Sequence, residues 1–313
     1  MSIYALDASP AYDPAFHVYI TELNEESFHK LYPKFLEIAE SYKFLYQWNM
    51  TKILGREKAP EKPKRIDDWF MVKDVGLNSV YASGWKVLAD LARDIDDTET
   101  ANYCDSQYKI SRDAIISKMF VKEQDRFQTL YIDSDGVEKA SIANTVQNLF
   151  PLLLHDLPTD NVKKIVSEVS SEQKFMGPFA VTTVAMDDPQ FSATFDVDLM
   201  WRGPVWGFTN WFVMEGLGMH KEMDVQKKIL QKWVALVQTS GIYEHYNPIN
   251  GDPYGPEGLG MSTLVCDWIY RYGWDKNPPN REDIYQYVNA DPAPNPNPNP
   301  TLPGPTSVSN ERQ

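Results

Sequence analysis

The chain has little of several residue types that build specialised sites. Only two cysteines occur among 313 residues, and Cys104 and Cys266 lie far apart, so neither a disulfide framework nor a zinc site is indicated. The five histidines are scattered, and the sequence contains no glycine-rich phosphate loop and no nucleophile elbow. We therefore expect two ordinary thiols, no bound metal and no cofactor.

Positive charge and long apolar runs are also scarce. The 30 Lys and Arg residues stand against 44 Asp and Glu residues, a formal charge of −14, which argues against nucleic acid or an anionic membrane as partner. No apolar run approaches the ~20 residues of a membrane span, and the first residues lack the basic and apolar regions of a signal peptide. We expect a soluble, cytoplasmic protein.

The pattern of apolar residues predicts helices along most of the chain. Hydrophobic content of 42% and aromatic content of 13% suffice for one large domain. Apolar positions recur every three or four residues in Phe28–Trp48, in a segment capped by Asp74 and running to Ala92, in 111–120, in 140–154, in a segment from Thr159, in a segment after Trp206, in one that ends near Gly241, and in 259–272. Phe127 to Gly136 predicts a small hairpin. The predicted organisation is an irregular segment 1–23, an all-α domain over 24–290 and a disordered Pro/Asn-rich tail over 291–313.

Two stretches combine aromatic and charged residues in a manner typical of sugar sites. Met200-Trp-Arg-Gly-Pro-Val-Trp206 places an arginine between two indoles, and Gly241-Ile-Tyr-Glu-His-Tyr-Asn-Pro-Ile-Asn-Gly251 holds Glu244 on a non-helical bend. Sugar rings stack their C–H faces on aromatic rings and need charged or amide partners for their hydroxyls. An acid among aromatics also has reason to carry the shifted pKa that acid/base catalysis uses.

Together with further motifs in the same order, these stretches resemble glycoside hydrolase family 63 and the mannosylglycerate hydrolase-like enzymes over roughly residues 28 to 275. The other matching runs are Phe179–Val184, Asp188–Phe191, Asn210–Trp211 and Glu215–Leu217. The resemblance implies an (α/α)6 toroid of six helical hairpins with the sugar site in the loops at one end. The predicted helices are fewer than six hairpins need, so we expect the toroid to be incomplete at the N-terminus. Residues 1–23, a partner chain, or further sequence would then cover the gap.

The resemblance also implies an activity and a set of site residues. It implies inverting hydrolysis of an α-glucoside or α-mannoside, such as glucosyl- or mannosylglycerate or the glucose cap of an oligosaccharide, with Glu244 as general base. The implied sugar contacts are Trp201, Arg202, Gly203, Trp206, Tyr243, His245 and Tyr246. Alternatively, the tryptophans are core aromatics and Glu244 is a surface acid. Asn247 is predicted to hold the bend through an Asx turn.

Two departures from the family weigh against catalysis. Relatives carry a general acid in Glu-Ser-Gly-x-Asp-Asn-Ser-Pro, but residues 47–73 contain no such run, and Asp68 beside Trp69 is the only substitute we name. Met261 also stands where relatives have a tryptophan. The competing hypothesis is therefore an inactive carbohydrate-binding or truncated relative.

Overall fold

The computed structural model of the chain describes residues 9–12, 72–132, 136–194 and 201–272. The predicted helix over Phe28–Trp48 and the Pro/Asn-rich tail lie outside these residues. The α-helices within them are α1 (Val75–Asp94), α2 (Thr98–Ala114), α3 (Thr159–Ser170), α4 (Gly207–Met219), α5 (Met223–Ser240) and α6 (Leu264–Tyr272). No helix in these ranges is both long and apolar enough to span a membrane.

Short strands connect the helices. They are β1 (Val72–Lys73), β2 (Phe120–Val121), β3 (Arg126–Phe127), β4 (Leu130–Ile132), β5 (Glu138–Ala140), β6 (Met176–Gly177), β7 (Ala180–Val181), β8 (Val205–Trp206), β9 (Tyr243–Tyr246) and β10 (Pro253–Glu257). Two sheets have three strands, in the orders β1-β4-β5 and β10-β9-β8, and β2-β3 and β6-β7 form hairpins. The fold is therefore rich in helix, as predicted, but it is not purely α.

The predicted N-cap at Asp74 is confirmed. Its carboxylate accepts hydrogen bonds from Leu77 N (2.5 Å), Thr129 Oγ1 (3.2 Å) and Tyr12 Oη (2.9 Å). Burial raises the pKa of this carboxyl, while the backbone donors and hydroxyls around it act in the opposite direction. Residues 9–12 are buried, so this part of the predicted irregular segment packs against the start of α1.

The buried face of α1 differs from the one that its apolar pattern suggests. Small residues face the core, and they are Val75, Gly76, Ser79, Ala82, Ser83, Ala89 and Ala92. The large residues Leu77, Tyr81, Leu88 and Leu91 are 43–56% exposed. Close helix packing selects small side chains, which explains why α1 presents its small face to the described core.

Two other predicted helices have different neighbours or types in the structure. The helix predicted over 111–120 is the end of the longer helix α2, which begins at Thr98, because Asp97 Oδ1 accepts from Thr100 N and caps it there. Its end passes into a π-helical turn, Ile115–Met119. The segment predicted as a helix over 140–154 is a 3-10 helix, Val146–Leu153, with Pro151 inside it, and proline cannot supply an interior N–H.

The core surrounds this 3-10 helix and includes side chains of all six helices. Its largest fully buried side chains include Trp206, Trp233, Trp268, Tyr246 and Phe175. Two of these belong to the motifs singled out in the sequence, so the candidate site is built directly on the core.

Candidate active site

Five of the predicted site residues, Trp206 and Tyr243 to Tyr246, lie on the sheet formed by β8, β9 and β10. Strands β8 and β9 are antiparallel, with Trp206 opposite His245. Strand β10 pairs with the other edge of β9, with Tyr254 opposite His245. The register therefore places Trp206, His245 and Tyr254 in one row across three strands.

The aromatic rings around this row form a continuous stack. The rings of Trp201 and Trp206 lie 3.8 Å apart at 17°, and those of Trp206 and His245 lie 4.6 Å apart at 3°. Tyr254 leans on His245 at 5.6 Å, and Phe208 packs edge-on against both indoles. Trp201, Trp206 and His245 are 3% exposed or less. The stack is thus a buried wall, as the core-aromatic alternative anticipated for the tryptophans.

Glu244 lies beside this wall. Its Oε2 is 3.7 Å from His245 Nδ1, and its side chain is 26% exposed. Burial raises the pKa of the Glu244 carboxyl above its usual value. Burial lowers the pKa of His245 to about 4, so the imidazole is neutral at pH 7. It therefore provides no positive charge to balance the Glu244 carboxylate. Such a half-buried acid is suited to proton transfer.

Gly255 of β10 lies against this glutamate. A Cβ added at Gly255 would be 2.7 Å from Glu244 Cβ and closer still to Glu244 Oε2, and Gly255 has φ +73°. The register of the β9–β10 pair shifts between Tyr254 and Glu257. The irregular register and the absence of a side chain at Gly255 together leave room for the Glu244 carboxylate.

The bend after β9 is held by Asn247, as predicted. Asn247 Oδ1 accepts from Ile249 N (2.8 Å) and Asn250 N (3.1 Å), the pattern of an Asx turn. Its Nδ2 donates to Tyr254 Oη at 2.7 Å. The Asn247 side chain therefore holds the bend and connects it to Tyr254, which packs on His245.

Tyr246 and Ser262 fix β9 from its buried side. Tyr246 is fully buried, and its hydroxyl accepts from Tyr243 N (2.9 Å) and donates to Gly241 O (2.8 Å). Ser262 Oγ donates to Tyr243 O at 2.5 Å. These contacts hold the backbone that leads into Glu244.

Arg202 and Gly203 join the second motif to the Asp188–Phe191 motif. Arg202 donates to Gln190 Oε1 at 3.0 Å, and Ser192 N donates to Arg202 O at 2.6 Å. A Cβ added at Gly203 would be 2.9 Å from both Ser192 C and Phe191 Cε2. Glycine is required here because the two backbones touch.

Asn210 links the same region to the Phe179–Val184 motif. Its amide bonds both backbone groups of Val181 and donates to Trp206 O. Met261, which replaces a tryptophan of the family, is 37% exposed, and its backbone lies against Gly207 at the start of α4. Motifs that are far apart in sequence thus meet at one place in the fold.

The structure links Trp201, Trp206, His245 and Glu244 through successive contacts, and Tyr243 and Tyr246 lie on the same strand as Glu244. Arg202 and Gly203 contact the Asp188–Phe191 motif and its neighbour Ser192.

Asp68, the candidate general acid, lies outside the described residues. Sequence reasoning missed Tyr254, Gly255, Gln190 and Ser262. Their signal was weak, because each acts through a cross-strand or backbone contact that the sequence does not reveal. Within the described part of the chain, no cluster of three or more His, Cys, Asp or Glu side chains is arranged to hold a metal.

Two solved structures illustrate what this fold resembles. A crystal structure of the GH63 mannosylglycerate hydrolase from Thermus thermophilus in complex with Tris matches with a TM-score of 0.65 at 19% identity, over 84% of this chain and 62% of that one. Neutral trehalase Nth1 from Saccharomyces cerevisiae matches with a TM-score of 0.54 at 15% identity, over 92% of this chain and 57% of that one. These likenesses establish a helix-rich fold of the GH63 and trehalase kind.

A family model places the chain more narrowly. Residues 4–263 match the model of the mannosylglycerate hydrolase MGH1-like glycoside hydrolase domain, and the chain belongs to that family. Mannosylglycerate hydrolase of Rubrobacter radiotolerans is 26% identical over 217 residues, which cover 69% of this chain and 48% of that protein. Mannosylglycerate hydrolase MGH1 of Selaginella moellendorffii is 33% identical over 85 residues, or 27% of this chain and 17% of that protein. The chain thus spans about half the length of the Rubrobacter relative.

Proposed function

We propose that this chain carries the base-bearing part of an inverting α-glycosidase that acts on mannosylglycerate or a closely related small glycoside. Glucosylglycerate and the glucose cap of an oligosaccharide are the other substrates of this class. The proposal rests on Glu244, a half-buried carboxylate beside the Trp206–His245 stack. Membership of the MGH1-like family supports it.

In this proposal Glu244 is the general base. An inverting enzyme needs one carboxylate to deprotonate water and a second carboxyl group, about 6.5–9.5 Å away, to protonate the leaving oxygen. The neutral His245 ring leaves Glu244 free to take a proton, and the raised pKa makes the carboxylate a stronger base. Asp68 is the proposed acid. It lies beside Trp69 within residues 47–73, where the family's own acid motif is missing.

The proposed roles of the other site residues depend on whether their side chains are exposed or buried. Arg202 and Tyr243 are partly exposed, so they are the proposed direct partners of the sugar. Trp201, Trp206 and His245 are buried and form the wall beside Glu244. Tyr246 is buried and holds the backbone of Tyr243, while Gly203 lets the Arg202 backbone approach Ser192. Sugar stacking then uses the edge of the wall that borders Glu244.

The wider architecture is proposed to be part of an (α/α)6 toroid, with residues 24–290 as one glycosidase-like domain flanked by 1–23 and 291–313. The likeness to GH63 and trehalase structures supports this arrangement. Contact with another copy that covers the missing hairpins is the proposed route to a complete ring.

The test compares sugar release by three forms of the protein. Purified wild type, Glu244→Gln and Glu257→Gln are incubated with mannosylglycerate and glucosylglycerate, and free mannose or glucose is measured. Glu257 is the matched control, because it is an exposed glutamate on the neighbouring strand β10. We expect Glu244→Gln to reduce kcat by about 10²–10⁴-fold while Glu257→Gln keeps wild-type activity. NMR of the first anomer released checks inversion.

The competing function is carbohydrate binding without hydrolysis. The missing acid motif favours it. Calorimetric titration with the same two glycosides separates the two functions, because binding without sugar release by the wild type would support the inactive relative. Equal turnover by wild type and Glu244→Gln would refute Glu244 as the base.

A further inference from the structure

Lys232 is a buried cation on helix α5. The residue is 7% exposed, and its ammonium donates to Gly177 O at 2.9 Å and to Pro178 O at 3.3 Å. Burial lowers the pKa of this ammonium to about 8, so the surroundings oppose its charge. A charged group is tolerated in a core when hydrogen bonds replace its lost hydration. The two carbonyl groups provide such hydrogen bonds here.

The two carbonyl groups belong to the turn between β6 and β7, residues 177–180. Gly177 pairs with Ala180 across this hairpin, and Ala180 has φ +79°, a conformation that strains a residue with a Cβ. A strained turn persists only where its surroundings fix it. Lys232 binds the first half of the β6–β7 turn, and the side-chain amide of Asn210 bonds both backbone groups of Val181 just after it.

The β6–β7 turn packs on the bend that follows β9, residues 247–251. A Cβ added at Gly251 would be 3.0 Å from Phe179 Cε1 and Cζ, and one added at Gly177 would be 3.4 Å from Pro248 O. Because Gly251 has no side chain, the ring of Phe179 lies directly against the backbone of the bend. A displaced turn would therefore move the bend or leave a gap beside it.

The bend is joined to the strand that carries Glu244. Gly251 N donates to Asn247 O at 3.0 Å, and Asn247 directly follows β9. Ser240 Oγ, at the end of α5, donates to Gly251 O at 2.7 Å. Helix α5 thus holds the bend directly through Ser240, and it holds the β6–β7 turn through Lys232, about two helical turns earlier.

We propose that Lys232 is a positioning residue for Glu244, acting through the β6–β7 turn and the bend after β9. The inference rests on the proposed function in taking Glu244 as the base, whereas the contacts that carry it are independent of any activity. An apolar side chain at position 232 would fill the same space but would deprive the carbonyl groups of Gly177 and Pro178 of this donor. The ammonium is therefore what holds the turn against the bend.

Hydrogen exchange of the full chain tests the proposal without reference to activity. Lys232→Met keeps an unbranched apolar side chain of similar length and removes the ammonium. Lys228→Met is the matched control, because it removes the same charge from an exposed ion pair one turn earlier on α5. The reporters are the amides of Ile249 and Gly251, which are hydrogen-bonded within the bend. The amides of α3 serve as the reference for global stability.

We expect Lys232→Met to accelerate exchange of the two bend amides at least about tenfold more than exchange of the α3 amides. Lys228→Met should leave both sets within about twofold of the wild type. Equal acceleration of both sets by Lys232→Met would overturn the proposal, because Lys232 would then stabilise the whole fold and not the bend. Unchanged exchange in the bend would also overturn it. If Lys232→Met does not fold, Lys232→Gln takes its place with the same outcomes.

A double variant tests the route through Phe179. Phe179→Leu removes the ring that lies on Gly251 and leaves Lys232 in place. We expect Phe179→Leu combined with Lys232→Met to accelerate the bend amides no more than the larger single effect, because both changes interrupt one route. Additive effects would show that the two residues act on the bend independently, and the proposed route would be wrong.

Steady-state kinetics relate the position of the bend to catalysis. For Lys232→Met we expect kcat for glycoside hydrolysis to fall by about tenfold while KM stays within about twofold, because a displaced base slows the reaction without removing the sugar contact of Arg202. A rise in KM at unchanged kcat would contradict a role in positioning Glu244. If the wild type releases no sugar, the proposed function fails, but the exchange experiment still decides whether Lys232 holds the bend.

Discussion

The carboxylate of Glu244 occupies the space that a side chain at Gly255 would fill. A Cβ at Gly255 would lie 2.7 Å from Glu244 Cβ, well inside van der Waals contact. The two residues belong to neighbouring strands of one sheet, at the point where the register of that sheet is irregular. Gly255 is therefore a positioning residue for the proposed base.

Gly255→Ala should move the Glu244 carboxylate and reduce activity. We expect kcat/KM for glycoside hydrolysis to fall by about 10–100-fold, since small displacements of a catalytic group are costly. The acid limb of the pH–rate profile should also move toward the ordinary glutamate value, because the displaced carboxylate would be more exposed. Steady-state kinetics from pH 4 to 8 measure both effects.

Gly258→Ala is the matched control for backbone strain. Gly258 has φ +77°, close to that of Gly255, but nothing lies within 4 Å of its Cβ position. Both alanines should therefore cost about 1–2 kcal/mol of folding free energy, measured by urea unfolding. If Gly258→Ala lost as much activity as Gly255→Ala, strain rather than contact with Glu244 would account for the effect.

The pH dependence of activity should report the raised pKa of Glu244. A base must be ionised, so activity is lost as the pH falls through the pKa of that carboxyl. Burial raises this pKa above the ordinary value of 4.5, so the acid limb of kcat/KM in the free enzyme should lie above pH 4.5. An acid limb at or below that pH would indicate that another group is the base.

Local sequence signals predicted the features that depend on neighbours along the chain. The Asp74 cap and the Asx turn at Asn247 were found because each is made by one side chain with backbone groups two or three residues away. Trp206 and His245 were named as site residues from motif resemblance, but their position in one row with Tyr254 was not predicted. Contacts such as Gly255 with Glu244 need the strand register, which the sequence does not specify.

The apolar face of α1 shows why periodicity alone is insufficient. The pattern correctly indicated a helix, but the described core is packed by the small residues of that helix, such as Ala82 and Ala89. Hydrophobic periodicity identifies a face that will be covered without naming the element that covers it. The 3-10 helix Val146–Leu153 is a related case, since its apolar pattern suggested an α-helix although Pro151 lacks the necessary N–H.

His245 should make the stability of the fold depend on pH. Burial lowers its folded-state pKa to about 4, from an ordinary value of 6.5, so the unfolded chain binds a proton more readily. The neutral ring's contribution to the free energy of unfolding is fully present above pH 6.5, declines below that value and is lost as the pH falls through the folded-state pKa. The total loss is up to about 3 kcal/mol. Urea unfolding between pH 4 and 7.5 measures this change.

The variant His245→Gln isolates the contribution of this ring. Burial also lowers the pKa of His155 and His220 and raises that of the Asp74 and Glu244 carboxyls, so the wild-type curve contains the effects of several groups. The difference between the wild-type and His245→Gln curves should still decline below pH 6.5. A difference that does not change with pH would contradict the lowered pKa of His245.

Gly203→Ala should destabilise the fold and disturb the position of Arg202. The added methyl would overlap the backbone of Ser192 and the ring of Phe191, and forced overpacking of this kind costs about 1–3 kcal/mol. Gly260→Ala is the control, because nothing lies within 4 Å of its Cβ position. If the folding free energy of Gly203→Ala, measured by urea unfolding, equalled that of Gly260→Ala, the close approach of the two backbones would be refuted. A loss of stability together with a rise in KM for the glycoside would link this glycine to the arginine that we propose as a sugar partner.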